Sequence, residues 1–470
     1  MRLNEKGQWT LAAAAALAAM TSAAIPAASA DQSPQPAAAN PGDLLGTMVV
    51  VAGAGRPLPK IAVAPSLASD MEDVTLRSVV RRDLDLSGEF ELLDDERAPD
   101  SAWDAYQPDA PVDLKAWSGR GLEAVIKVSG RPVNASEAEL RAQVYLTARP
   151  PSPVYEARVV AAAADVRAHA HRLADLVIGA LTGQNGGFLS RMTFASGTGK
   201  LRRAYVIDAD GSNPRALSPS NGIAIAPAFG KNEDLYYALS VGGDEYKVMS
   251  ASAGPVALPV KGSVYGIAFS RDRSQLAISV GVGPTIRVFA GPDFASLAPA
   301  SDVGMALHPA FTPSGKLAFA GAGSSGQRIY VDNKPISPDG LFASAPAFCN
   351  HPDGVRAVFA VGVGKDTDLV STSETGGPLV RLTQGQGRNG YPACSPDGRL
   401  IAFFSTRASG EGPGLYIMRV DGGRPKRISP MLGDSLRWDP RPPPPSRAPL
   451  VDAARKDKDK DKDKDKDKNP

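Results

Sequence analysis

Ala226-Pro227-Ala228-Phe229 is the first clear copy of a phrase that this chain writes six times. Tyr265-Gly266-Ile267-Ala268-Phe269, His308-Pro309-Ala310-Phe311, Ala345-Pro346-Ala347-Phe348 and Tyr391-Pro392-Ala393-Cys394 follow, and Ser435-Leu436-Arg437-Trp438 is a degraded last copy. The anchors Phe229, Phe269, Phe311, Phe348, Cys394 and Trp438 stand 40, 42, 37, 46 and 44 residues apart. A period near forty, built from short β-rich pieces, marks a β-propeller. Turns such as Ser395-Pro396-Asp397-Gly398 and Thr312-Pro313-Ser314-Gly315 follow the anchors, and strands such as Leu317-Ala318-Phe319 follow the turns. Proline presets the first corner, and glycine allows the tight reversal between antiparallel strands. Six anchors imply six blades. A ring must close, so strands near 190–195 and 203–208 are expected to complete one blade with Trp438.

Upstream the pattern changes. Ile61-Ala62-Val63-Ala64 reads as a strand, and Ser69 with Glu72 as a capping box. Leu76, Val79, Val80 and Leu84 follow at helical spacing, and Gly88 terminates that helix. A strand at 90–93, a helix at 112–118 and strands at 123–129, 139–148 and 153–162 come next. A last helix starts at Asp165, with the stripe His169, Leu173, Leu176, Val177 and Leu181, and Gly183 closes it. This order describes an α/β domain with two or three helices on one face of a mixed sheet. The expected fold is therefore an α+β multidomain protein: an N-terminal α/β domain at 44–185 and a C-terminal six-bladed β-propeller at 186–440.

The ends carry no fold. Arg2 and Lys6, an Ala/Leu-rich run at 11–20 and Ala28-Ser29-Ala30 make a signal peptide cleaved after Ala30. The run is too short to span a bilayer, which takes about 20 residues. No Cys follows the cleavage site, so an exported, periplasmic protein without membrane insertion is expected. Residues 31–43 form a flexible segment. Residues 441–470 form a proline-rich spacer and a disordered tail in which Lys and Asp alternate from Lys456 to Lys468. The net charge is +2, and no nucleic-acid partner is expected.

Chemistry-bearing motifs are sparse. No Gly-x-Ser-x-Gly elbow occurs, so catalytic residues, and an enzyme, are not expected. Gly385-Gln386-Gly387-Arg388-Asn389-Gly390 has dinucleotide-type spacing but precedes a propeller anchor and no helix, so it reads as a surface turn. His169, His171, His308 and His351 show no metal-ligand spacing, so neither metal nor cofactor is expected. Cys349 and Cys394 lie at or beside anchors of neighbouring repeats, and they read as two free, buried thiols.

Several stretches in order resemble the TolB family. They are Gly55-Arg56-Pro57-Leu58-Pro59-Lys60-Ile61-Ala62-Val63-Ala64-Pro65, Arg82-Asp83-Leu84-Asp85-Leu86-Ser87-Gly88-Glu89-Phe90, Trp117 with Gly121-Leu122-Glu123-Ala124-Val125-Ile126, and Leu181-Thr182-Gly183 with Gly187-Phe188-Leu189-Ser190-Arg191. The resemblance spans residues 44–440 and implies a periplasmic scaffold of the Tol–Pal system. Such a scaffold binds a peptidoglycan-associated lipoprotein (Pal) through one propeller face and TolA near the mature N-terminus. It serves envelope integrity and outer-membrane constriction in division. The extra residues Asp31 to Asn40, several altered turns and the Lys-Asp tail depart from the family pattern.

Loops entering the innermost strands cluster around a propeller's channel. Tyr265, His308, Arg388 and Tyr391 are thus the candidate Pal-like contacts, the alternative being that they only pack on neighbouring blades. Leu45, Val49 and Val51 lie in an apolar stretch with two readings: a strand added to a TolA-like partner's sheet, and an edge strand of the α/β domain. A monomer is expected. A propeller-containing peptidase or hydrolase and a glycan-binding propeller are the competing functions.

Overall fold

The computed structural model describes residues 57–440, with residue 105 and the side chain of residue 104 excepted. The expected signal peptide at 1–30, the segment holding Leu45, Val49 and Val51, and the expected spacer and tail at 441–470 lie outside the described residues.

The N-terminal part is a five-stranded mixed sheet of order β2-β1-β3-β4-β5. Its strands are β1 (Lys60–Val63), β2 (Glu91–Leu92), β3 (Ala124–Pro132), β4 (Glu137–Leu146) and β5 (Tyr155–Ala162). β1 runs parallel to β2 and β3, and the remaining pairs are antiparallel. Helices α1 (Met71–Leu86) and α4 (Val166–Thr182) cover one face, with Leu76, Val80, Leu84, Leu173 and Val177 fully buried. Alternation along the strands sends Ile61, Val63 and Ile126 to that face and Ala62, Val125 and Tyr145 to the other. The second face carries its own cluster around Trp117, supplied by α2 (Asp100–Asp104) and α3 (Leu114–Ser118). The expectation of helices on one face is therefore corrected: the strands are apolar on both sides, and both sides are covered.

The capping box at Ser69 and Glu72 is also corrected. The helix starts one residue later, at Asp70, which makes no side-chain cap bond. The chain instead spends its polar groups on a tertiary contact: buried Asp73 accepts from Ser66 Oγ at 2.6 Å and from the Gly130 amide at 2.9 Å. A Cβ at Gly130 would lie 2.7 Å from the Glu72 backbone, so only glycine lets β3 approach α1 this closely. At the end of α4, Gly183 adopts φ 84° and its amide bonds the Gly179 carbonyl at 2.8 Å. The short α3 begins at Leu114, because Asp113 Oδ1 accepts from the Ala116 amide.

Six four-stranded antiparallel sheets follow, which are the six blades of a propeller. The innermost strands are Ile223–Phe229, Val264–Phe269, Leu307–Phe311, Ala343–Cys349, Asn389–Cys394 and Asp434–Trp438. The last of these pairs with Arg191–Ser196, whose other neighbour is Arg203–Asp208, and Trp438 lies opposite Met192. The ring is thus latched by its own two ends. One apolar cluster runs from α1 and α4 through Phe188 into the fifth and sixth blades at Phe404, Leu415, Leu436 and Trp438. No helix among the described residues is long and apolar enough to cross a membrane.

Cys349 and Cys394 form a disulfide with their Cα atoms 5.1 Å apart, which corrects the expectation of free thiols. Neighbouring blades set their innermost strands side by side, which brings Cys349, one residue past the anchor Phe348, against the next blade's anchor Cys394, so a separation of 45 residues in sequence becomes direct contact.

Candidate functional site

The repeated phrase builds the channel wall. Proline cannot donate to a sheet ladder, so Pro227, Pro309, Pro346 and Pro392 break the pairing of the innermost strands. The register shifts at each of them, as it does in the second and sixth blades. The residue before the break takes a left-handed conformation in five blades: Ala226 (φ 50°), His308 (51°), Ala345 (50°), Tyr391 (54°) and Ser435 (53°). Such backbone is costly for residues other than glycine and persists only where its surroundings enforce it. Gly266 holds the sixth position.

These six positions form one layer around the axis. With Tyr265 they line a chamber of about 20 Å³, room for roughly one water. The residues immediately before the anchors form a second layer: Ala228, Ala268, Ala310, Ala347, Ala393 and Arg437. With the anchors they wall a wider cavity of about 130 Å³. Five alanines keep this layer open, and Arg437 alone crosses it. Its Nη2 donates to the Pro309 carbonyl at 2.8 Å and the Ile267 carbonyl at 3.5 Å, so it divides the two chambers.

The structure gathers three of the four candidate contacts. Tyr265, His308 and Tyr391 all line the small chamber. His308 Nδ1 accepts from the Ala345 amide at 3.3 Å, and its ring meets Tyr391 edge-on at 5.8 Å. Burial, and after it Arg437, drives the His308 imidazole down to about 4. Burial drives the Tyr391 phenol up. Tyr265 is 39% exposed and packs beside Tyr246 at 6.3 Å. Arg388 stands apart: it is exposed on the loop entering the fifth blade, outside the chamber, with its amide on Thr406 Oγ1 at 2.9 Å. The glycine-rich stretch around it is a turn with Gly385 and Gly387 at φ 61° and 75°, followed directly by a strand.

The two faces of the ring differ. Strands alternate in direction, so connections into the first strand and between second and third emerge on one face, and the others on the opposite face. The α/β domain holds the second face. Arg399 in the fifth blade donates to Glu89, Thr182 and the carbonyls of Gln184 and Asn185, while Lys426 reaches Asp85 and Arg82 reaches the Asp210 carbonyl. The first face is uncovered among the described residues. All six exposed large apolar side chains of the ring, Leu201, Val241, Tyr265, Val282, Phe342 and Leu432, sit on its connections or strand ends.

Sequence reasoning missed Phe342, which is 49% exposed beside the fourth innermost strand, because no periodic signal distinguishes a loop residue. It also missed Arg437, although the signal was present: arginine stands where five other copies have alanine. A third missed feature lies at the domain junction. Ligand atoms of His171, Asp208 and Asp210 lie within 4.8 Å of one another. Arg167 donates to Asp210 and pairs with Asp208 at 3.5 Å, and Ser212 donates to Asp210 twice, so these carboxylates hold an arginine in a polar clasp between α4 and the sixth blade.

Residues 47–149 match the family model for the TolB amino-terminal domain. Among curated relatives, the Tol-Pal system protein TolB of Thiobacillus denitrificans is 32% identical over 183 residues, 38% of this chain and 41% of that protein. That of Albidiferax ferrireducens is 27% identical over 184 residues, 39% of this chain and 42% of that protein. The chain thus spans about two fifths of the length of these relatives. The crystal structure of TolB from Acinetobacter baumannii shares the fold, with a TM-score of 0.65 at 18% identity, over 82% of this chain and 98% of that one. The chain is thus similar to TolB proteins in sequence over part of its length and in fold over most of it.

Proposed function

We propose that this TolB-like chain is a periplasmic protein-docking scaffold of a Tol–Pal system, joining inner-membrane Tol components to a peptidoglycan-associated outer-membrane lipoprotein. In that role it serves envelope integrity and outer-membrane constriction during division, and it performs no catalysis. The names of the relatives support the system. The observation that carries the docking role is the uneven ring: its exposed large apolar side chains all lie on the face opposite the α/β domain. Exposed aromatic and aliphatic groups with polar neighbours are the usual anchors of a protein interface.

In this reading the Pal-like partner covers Tyr265 and Phe342, touches Arg388 at the rim, and meets the polar edges of His308 and Tyr391 at the chamber mouth. A TolA-like partner engages the stretch containing Leu45, Val49 and Val51 by strand addition. The test is capture of purified Pal-like lipoprotein by the immobilised chain. Tyr265→Ala and Phe342→Ala should each weaken capture by about tenfold, the effect of losing one interface anchor of about 1.4 kcal/mol. Deletion of residues 31–51 should abolish capture of a TolA-like domain and leave the lipoprotein bound. Unchanged lipoprotein affinity in both alanine variants would remove this face from the proposal.

A further inference from the structure

The cavity inside the ring is walled by aromatic anchors and by three arginines, Arg271, Arg273 and Arg437, with no carboxylate among its lining residues. Arg273 is matched, since its Nη2 lies 2.5 Å from Asp439 Oδ1. Arg271 and Arg437 have no carboxylate within ion-pair distance among the described residues. Arg271 reaches across the mouth from the second blade to the fifth and donates to the Pro396 carbonyl at 3.0 Å. Arg437 closes the other end on two carbonyls, and its Nε has no hydrogen-bond partner there. Enclosing a guanidinium without an anion is unfavourable. Burial accordingly pushes Arg437 down to about 10, which leaves it charged at neutral pH. Five of six repeats solve the same position with alanine, so the arginine is not needed to form a blade.

The geometry points to this cavity as an anion site: a carboxylate enters between Arg271 and Arg437 and takes the unused guanidinium donors of Arg437. About 130 Å³ accommodates a carboxylate and its first waters but no folded element. Arginine's planar fork suits a carboxylate, and the aromatic walls lower the local dielectric and so strengthen the pairing. The carboxylate is that of a small free acid or of an acidic side chain presented by a protein. The site is separate from the apolar face and stands whether or not that face binds a lipoprotein.

The test is calorimetric titration of the full chain at constant ionic strength with two probes: succinate, and a glutamate-containing hexapeptide beside its glutamine twin. Saturable binding of either carboxylate is expected, lost by about tenfold or more in Arg437→Met, as for removal of a charge-assisted hydrogen bond. Arg271→Gln, at the mouth and outside the packed layers, should weaken binding while leaving the circular dichroism of the ring intact. Binding of succinate assigns the site to free acids, and binding of the peptide alone assigns it to a presented side chain. Binding of neither probe, or equal binding by the wild type and both variants, would overturn the site.

Discussion

His171 Nδ1 lies 2.6 Å from Asp83 Oδ2, and this buried pair ties α4 to α1 beside the Asp210 turn of the sixth blade. Burial alone would lower the imidazolium, but the carboxylate against it outweighs burial and raises His171 to about 9. Burial raises Asp83 to about 6 despite His171. In an unfolded chain the histidine titrates near 6.5. Between pH 6.5 and 8 the folded protein keeps a proton on His171 that the unfolded chain releases, so the histidine's contribution is full below 6.5 and declines as pH rises. Lys127, lowered to about 8 by burial, acts with the opposite sign above that pH, and Asp175, raised to about 7 by burial, adds to the decline below pH 7, so the window that belongs to His171 is pH 7 to 8. The melting temperature should therefore fall from pH 7 to 8, reflecting a loss of stability of no more than about 1.4 kcal/mol per pH unit for one proton. His171→Gln should flatten that slope, and a melting series showing the same slope in both proteins would contradict the pairing.

The disulfide between Cys349 and Cys394 closes a sequence separation of 45 residues between the fourth and fifth blades. Chain-entropy reasoning gives such a bridge about 4 kcal/mol. Reduction under native conditions, or the double variant Cys349→Ala with Cys394→Ala, should lower the calorimetric melting temperature by several degrees. Thiol labelling of the oxidised protein should stay negative even in denaturant. Labelling of two thiols after unfolding without reductant would show the bridge to be absent.

Arg399 is 7% exposed and serves both parts of the chain. Its Nε meets Asp397 at 2.7 Å within the fifth blade, while Nη1 and Nη2 reach Glu89, Thr182 and two carbonyls across the junction at 3.1 to 3.3 Å. Arg399→Met removes these donors and leaves the Gln184 and Asn185 carbonyls without them, at a cost of about 3 kcal/mol. Arg399→Lys should recover little, since one ammonium cannot span the same acceptors. Limited proteolysis should reveal the loss as faster cleavage near residues 184–187, with the blades themselves still resistant. Unaltered cleavage kinetics in the methionine variant would rule the contact out as a clamp.

What the sequence disclosed and what it hid follow from range. The anchors, the Pro-Asp-Gly and Pro-Ser-Gly turns, and the closing strand partners of Trp438 are local patterns with a fixed period, so six blades and their latch were legible. The stripe from Leu173 to Val177 showed a buried helix face for the same reason. The Cys349 bridge, the second helical layer around Trp117 and the Arg167 clasp are products of contacts between distant segments, and periodicity carries no trace of them. The binding surfaces divided in the same way. Tyr265, His308 and Tyr391 could be placed near the axis because they precede anchors. Phe342 could not, and Arg388 was grouped with the chamber by its sequence neighbourhood although its side chain stands outside. Arg437 was overlooked because its repeat looked degraded, when its departure from alanine was the informative feature.

The ring's latch concentrates on Trp438. Its indole is 5% exposed, and its Nε1 donates to Ser190 Oγ at 2.7 Å. Through it the last innermost strand, Asp434–Trp438, is held against Arg191–Ser196, a segment some 240 residues away in the chain. Trp438→Ala should cost about 3–5 kcal/mol, since a large buried aromatic leaves a cavity that packed blades fill only in part. Trp438→Phe keeps most of the volume and loses the indole hydrogen bond, at about 1 kcal/mol. Denaturant midpoints would give the two magnitudes, and hydrogen exchange would locate them. In the alanine variant the amides of residues 191–196 should lose protection before those of the second and third blades, because opening begins where the two chain ends meet. Uniform loss of protection around the ring would mean that closure is shared among all blades and that the latch is no weaker than any other seam.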